Sequence, residues 1–454
     1  MGIKDLVKDL RDRVDGLRKR GRTEVRSIED GTKTVKLSEE ASDLLGTLSS
    51  ELGPRPAASL ESRRAARRIA SEMEKHSDDV TLTSGRIYPY IGKGMMLFLY
   101  VFTLFSLIFA FAGLPYISLL AAALYLYALY GEIAKDGGWL RAFMRTGEAA
   151  NVHAVIESEE EAERTIIFSA HHDSAPIRKE REGKFWRLAS WRYLQPASFA
   201  LAVAASAFAV VSELIRGVFW GFNLPSLSIA LLLLLSLASS IVSFIAFDMK
   251  EGEYSIGAGD NLSGVSVVIT LLSHFAKEKK EGRGMKKTRL IFVSFDGEEC
   301  GRAGSRLWYR DNAYLLHRAE NLNFDGLYDE DDLVFLTMDG NGFVPLSSSF
   351  ASRCSALAAS MGYKAGIGRI GLLGGETDAA SAALASVEAT TLSGMPPGKE
   401  SPAHTEEDTP DKVSEETLSR AIAIGIRVAE EEKEGERKED SPFSGDRKYK
   451  LSRY

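Results

Sequence analysis

Two stretches constrain this chain more than anything else in it. From Gly94 to Gly131 there is no charged residue, and from Tyr193 to Phe247 only Glu213 and Arg216 interrupt an apolar run. About 20 apolar residues suffice for a helix to cross a bilayer, so each stretch has the length of two helices joined by a turn. The first breaks at Gly113-Leu-Pro115. The second breaks between Glu213 and Pro225, where Trp220 and Phe222 would sit at interfacial depth. Four transmembrane helices in two hairpins are expected, the alternative being long buried core helices. Both hairpins lie deep inside the chain, and Met1 to Asp5 lacks the apolar core of a signal peptide.

Outside the hairpins the pattern is that of an α/β domain interrupted twice. Residues 3–20 carry Ile3, Leu6, Val7, Leu10, Val14 and Leu17 at helical spacing, so 1–37 reads as an amphipathic helix and linker. The domain then starts at 38–92, with a helix opening at Ser38, a turn at Leu52 to Arg55, a helix from Leu60 to His76 and a strand from Val80. After the first hairpin (93–134) it resumes over 135–192. Here two strands, Asn151–Ile156 and Thr165–Ala170, flank the acidic segment Glu157–Glu163, read as a hairpin loop. After the second hairpin (193–248) it runs from 249 to 432, and 433–454 is a charged, apolar-poor tail expected to be disordered. The net charge of −7, from 63 acidic and 56 basic residues, argues against nucleic acid as the main partner. Cys300 and Cys354 form no disulfide framework, which fits a reducing compartment.

Arg289 to Phe295 is a short, apolar, β-branched and aromatic run that breaks into Asp296-Gly-Glu298-Glu299. That is the pattern of a buried strand ending in a polar turn, and in open α/β sheets the carboxyl ends of strands are where ligands bind. Other strand ends carry His171, Asp173, Asp260, Asp325 and His404. Imidazole and carboxylate donors together suit a Lewis-acidic metal, beside a base that is not itself a ligand.

These pieces resemble the M28 zinc aminopeptidases. The matching residues are His171 and Asp173; Gly259, Asp260, Asn261, Ser263 and Gly264; Glu298, Glu299, Gly301, Gly304 and Ser305; Asn323 and Asp325; and His404 with Thr405. Leu52 to Arg55, Ser59, Glu61, Ala65 and Ala66 also look like that family's N-terminal helices. The resemblance covers about 38–90, 137–178 and 253–430. It implies a mixed sheet flanked by helices, two zinc ions and a peptide substrate. It further implies that Asp260 bridges the metals, that His171 and Asp325 complete one site and Glu299 and His404 the other, that Glu298 is the general base, and that Asp173 orients His171. It implies a cis peptide between Asp260 and Asn261. His172, pointing the other way on its strand, reads as structural.

The chain departs from the family where Ala403 replaces a tyrosine that can assist the transition state, and where Thr377-Asp378-Ala379 replaces Ser-Asp-His. The function expected is a membrane-anchored zinc aminopeptidase. The alternatives are a non-catalytic scaffold in the bilayer and a one-zinc enzyme resembling glutaminyl cyclases. Lys93, Lys135, Arg141, Arg145, Arg187, Arg192 and Lys250 flank the spans on one side, against Arg216 alone in the turns. The positive-inside rule then places the catalytic domain and both termini in the cytoplasm. The return linker, Asp248 to Gly259, reaches at most about 40 Å, so the metals are expected near the bilayer surface.

Overall fold

In the computed structural model, residues 34–134, 139–177, 191–217, 225–246, 252–372, 374–395 and 401–431 are described. The expected helix over 3–20, the tail from 433, and Trp220 and Phe222 lie outside them. The chain begins with α1 (34–52), which starts before the expected Ser38 cap: Ser38 lies inside it and turns its hydroxyl back to the Val35 carbonyl. Helix α2 (Leu60–Met73) is capped by Ser59, whose hydroxyl accepts from the Ser62 amide. The strands β1 (Val80–Ile87), β2 (Gly147–Ile156), β3 (Arg164–His171), β4 (Thr288–Phe295), β5 (Ala319–Phe324), β6 (Val334–Leu336), β9 (Gly366–Gly368) and β10 (Glu388–Ser393) form one eight-stranded sheet. A separate two-stranded piece joins β7 (Met338–Asp339) to β8 (Val344–Pro345).

The sheet order is β1-β2-β4-β3-β5-β10-β6-β9. Its centre, β4, β3, β5 and β10, is parallel, and antiparallel pairs lie on either side. One expectation fails here. Strands β2 and β3 are not a hairpin, because β4 lies between them, antiparallel to β2 and parallel to β3. Ile291 is opposite both Val155 and Ile167, so a strand from over a hundred residues later takes the place that local sequence assigns to a neighbour. The acidic segment instead meets the approach to β4: Glu159 and Glu160 amides donate to the Met285 and Lys286 carbonyls.

Both faces of the sheet are covered. On one face α1, α2, α7 (Ser263–Lys280), α9 (Ser348–Ser360) and α11 (Glu415–Glu430) pack over Phe168, Phe292 and Phe324, all fully buried. On the other, α8 (Ala303–Asp311) and α10 (Ala379–Leu384) cover Ile167, Ile291 and Val293, with Trp308 and Tyr309 as the large fillers. The central strands are apolar on both faces, as parallel strands between two helical layers must be.

The two apolar stretches form α3 (Ile91–Phe111), α4 (Pro115–Ala134), α5 (Trp191–Ile215) and α6 (Leu227–Ala246). The four helices pack together, α3 on α4, α5 on α6, and across the hairpins. Three of them, α3, α5 and α6, are long and apolar enough to cross a membrane. Among the described residues α4 is not one of them, where four spans were expected. The helices pack through apolar clusters and are also bridged by polar side chains. Ser118 and Ser206 share a 2.7 Å hydrogen bond, as do Tyr100 and Ser243, and Gln195 donates to Thr103 at 3.0 Å. All three join one hairpin to the other.

Each hairpin leaves and rejoins the α/β domain through paired backbone. Ile87 and Gly147, the last and first residues of β1 and β2, are opposite one another across the first excursion. The second leaves through Ala175 to Ile177, which pairs antiparallel with Glu253 to Ser255: Ile177 donates to the Glu253 carbonyl at 2.7 Å and Ser255 to the Ala175 carbonyl at 2.9 Å.

Candidate metal centre

The parallel run β4-β3-β5-β10 ends on one edge of the sheet, and the polar turns collect there. His171 is the last residue of β3, and Asp173 follows two residues on. Asp260 lies in the tight turn Ala258–Leu262 that opens α7, and the Asp260–Asn261 peptide is cis. Glu298 and Glu299 follow β4, Asp325 follows β5, and His404 stands on the loop beyond β10 with φ of 62°.

The turn carrying Asp260 is fixed by close packing. A side chain at Gly259 would put its Cβ 1.9 Å from the Tyr328 ring, so only glycine lets the backbone lie on that ring. At Gly264 a Cβ would meet the Asn261 carboxamide oxygen at 2.5 Å and the Phe324 carbonyl at 2.8 Å. Asn261 uses that carboxamide to tie the turn to β5, donating to the Phe324 carbonyl at 2.8 Å. Asp408 accepts from the Gly259 amide at 2.7 Å.

His171, Asp260 and Asp325 bring one ligand atom each within 4.8 Å of one another, and so do Asp260, Glu299 and His404. Asp260 belongs to both groups, facing His171 with one oxygen at 3.2 Å and His404 with the other at 3.1 Å. The second distances are 3.6 Å from His171 to Asp325 and 3.6 Å from His404 to Glu299. Two ligand atoms about 2.0 Å from one tetrahedral ion stand roughly 3.3 Å apart, so the spacings fit ions lying between the donors. His171 Nε2 is buried and makes no hydrogen bond, although Asp260 stands 3.2 Å away. The donor set thus fits a pair of zinc ions.

Asp173 is fully buried and braces two elements. Its carboxylate accepts the Glu298 and Glu299 amides at 3.1 Å each, and one oxygen lies 3.4 Å from His171 Nδ1. It therefore links the imidazole to the turn that carries both glutamates. Burial, reinforced by Glu299, Asp325 and Asp378 and opposed by His171, pushes the Glu298 carboxyl well above its ordinary range. Its Oε1 is buried with no hydrogen-bond partner. His172 is buried on the other side of its strand against the Ser294 hydroxyl at 2.8 Å, and burial drives its imidazole pKa down to about 3. Cys300 is a buried filler whose thiol burial pushes up.

Three residues around the site carry more than their sequence context announces. Arg55, read only as part of a turn, is fully buried; its guanidinium donates to the His172 carbonyl at 2.6 Å and the Ile256 carbonyl at 2.6 Å. It clamps the segments that carry His171 and Asp260. Burial lowers its pKa to about 10, with Asp173, Asp408 and Asp260 opposing. Asp378 is buried near His171 and Asp325, and burial raises its carboxyl to about 7. Tyr328 fills the space beside Asp260, and no tyrosine precedes His404, where Ala403 is buried.

A mixed sheet with histidines and carboxylates converging on shared points near the ends of its parallel strands is an α/β architecture whose donor groups could hold metal ions. Residues 241–429 match the model of peptidase family M28, the family that the motifs resemble. No curated protein matches the chain. Among solved structures, a glutaminyl cyclase from Porphyromonas gingivalis is 14% identical with a TM-score of 0.49, covering 86% of this chain and 96% of its own. A leucine aminopeptidase precursor from Bacteroides thetaiotaomicron is 15% identical with a TM-score of 0.49, covering 87% and 97%. A zinc aminopeptidase from Bacillus subtilis is 14% identical with a TM-score of 0.49, covering 86% and 95%.

Proposed function

We propose that this protein is a membrane-anchored, co-catalytic zinc aminopeptidase. The observation that carries the reading is the pair of donor groups sharing Asp260. His171, Asp260 and Asp325 would hold one ion, and Asp260, Glu299 and His404 the other. Bound zinc supplies Lewis acidity and makes water a stronger acid. Glu298, buried, raised in pKa and with an unengaged oxygen, takes the proton of the attacking water and returns it to the leaving amine. Asp173 holds His171 in place and fixes the Glu298–Glu299 turn through its two amide bonds.

Anchoring is supported by the helical bundle, which turns Leu104, Phe105, Ile108, Leu231, Leu234, Leu235 and Phe244 outward, all half or more exposed. Such a continuous apolar exterior suits lipid rather than water. The basic flanks favour a cytoplasmic catalytic domain, and the second hairpin, branching off just after Asp173, favours peptides trimmed near the bilayer. Protease added to sealed right-side-out vesicles should leave the catalytic domain intact; its digestion would reverse the orientation.

The central test is Glu298→Gln. It should keep both metals and lower peptide hydrolysis by about 10²–10⁴-fold, whereas Glu299→Gln should lower metal content. Wild-type turnover in Glu298→Gln would sink the assignment. Metal content per chain separates the alternatives: two zincs for this reading, one for a cyclase-like enzyme, none for a scaffold.

A further inference from the structure

Where the first hairpin meets the α/β domain there is a cavity of about 230 Å³ that the proposed chemistry does not use. Its walls carry Arg86, Arg141, Arg306 and Arg310, with Tyr88 and Glu132. Four arginines against one glutamate give the lining a formal charge of +3, with Arg310 also paired to the neighbouring Asp311 at 2.8 Å. They come from four places: the end of β1, the 3₁₀ turn Trp139–Phe143, and two positions one turn apart on α8. Arg141 is held in place, paired to Glu132 with its Nε 2.9 Å from both carboxylate oxygens and stacked over Tyr88 at 5.3 Å. Arg306 donates to the Glu132 carbonyl near the end of α4 at 3.2 Å. Cys300 and Gly301, directly after the two glutamates, also line it.

The position of the cavity identifies its occupant. Ile91, the first residue of α3, lines it, so it stands at the level where the apolar helices begin. The turn that supplies Arg141 to the cavity also carries Trp139 and Phe143, which are 43% and 72% exposed and lie against Phe102 and Phe98 of α3 at 6.4 and 6.0 Å. Exposed aromatic rings beside an apolar helix are the usual furniture of a membrane–water boundary. Guanidinium groups bind phosphate bidentately, because their planar forks match its oxygens as they match a carboxylate's, and phosphate is the anion that a bilayer surface presents at that depth.

We propose that this cavity is a phosphate-binding site that takes the anionic headgroup of a phospholipid, fixing the depth and tilt of the catalytic domain at the bilayer. The inference rests on the membrane reading for the source of the phosphate, but not for the pocket itself.

The test uses the full chain in detergent and in vesicles, with phosphatidylglycerol, phosphatidylcholine and inorganic phosphate as probes. Arg86 and Arg310 are exposed, so the double variant Arg86→Gln/Arg310→Gln leaves the Arg141–Glu132 pair intact. Wild type should retain phosphatidylglycerol over phosphatidylcholine by native mass spectrometry. The Gln variant should lose that preference by about tenfold or more, while lysine at both positions keeps part of it. Equal retention by wild type and the Gln variant, with both still floating on phosphatidylcholine vesicles, overturns the pocket and leaves the membrane reading standing. Inorganic phosphate that binds wild type but not the Gln variant, in a protein that floats on neither vesicle, supports the pocket and overturns lipid as its occupant.

Discussion

The α/β domain and the helical bundle solve opposite problems with their buried polar groups. The domain buries Asp173, Asp260, Asp296, Glu298, Asp325, Asp378 and Asp408 within one sheet edge, and several of these carboxyls are pushed upward by burial. The bundle, apart from Glu132 and Glu213 near helix ends, instead buries Thr103, Ser106, Ser118, Ser198, Ser206, Ser236 and Ser243, neutral hydroxyls several of which bond helix to helix. Crowded carboxylates at one point are costly unless cations are gathered there. Scattered hydroxyls cost little and bind little. The difference teaches where chemistry can occur in this molecule, and the comparison can be tested by removing polar groups on each side.

The largest effect is expected at Arg55. Arg55→Met removes a buried cation and leaves the His172 and Ile256 carbonyls without their donor. Losses of one member of such a buried network cost about 3–5 kcal/mol, read as a lower denaturation midpoint, with zinc content falling alongside. A change under about 1 kcal/mol would mean that the clamp is dispensable. In the bundle, Ser118→Ala breaks the bond to Ser206 and should cost only about 0.6 kcal/mol, measured by unfolding in mixed micelles with peptidase activity unchanged. A loss as large as that at Arg55 would erase the contrast.

The smallest effect concerns His153 on β2. Burial lowers its imidazole pKa, and the Trp308 indole donates to its Nδ1 at 3.2 Å, which requires that nitrogen to be unprotonated. The unfolded state takes up the proton first as pH falls below about 6.5. Stability from this group is therefore fully present above that pH and is lost as pH drops toward the depressed folded value. His153→Gln should flatten the fall in melting temperature between neutral and mildly acidic pH. An unchanged slope would remove His153 from the account.

What could be read before folding follows the range of the interactions involved. The strand Thr288–Phe295, the helix Leu60–Met73 and the four long apolar helices were legible because their signals are local periodicity and length. Strand order was not, since the pairing of Ile291 with both Val155 and Ile167 leaves no mark in the segment between β2 and β3. In the same way His171, Asp260, Asp325, Glu299 and His404, which form the two donor groups, stood out by motif spacing, although Asp260 opens α7 and His404 stands on a loop rather than at a strand end. Arg55, Tyr328 and Asp408 did not, because their importance lies in what they touch: the His172 carbonyl, Gly259 and the amide beneath it. Gly259 was the one available hint, as a small residue where a ring had to approach the chain.

The paired backbone at the base of each hairpin has a consequence for chain entropy. Ile87 opposite Gly147, and Ile177 bonded to Glu253, hold the ends of each excursion together before the excursion itself is counted. Closing a longer flexible loop between fixed ends costs only about 0.6 kcal/mol per doubling of its length. The sheet's register is therefore nearly indifferent to what hangs between those residues, whether two apolar helices or a turn of a few residues. At these two points the chain can lengthen without altering His171, Asp173 or Asp260, so the helical bundle is an addition to the α/β architecture rather than a change in it.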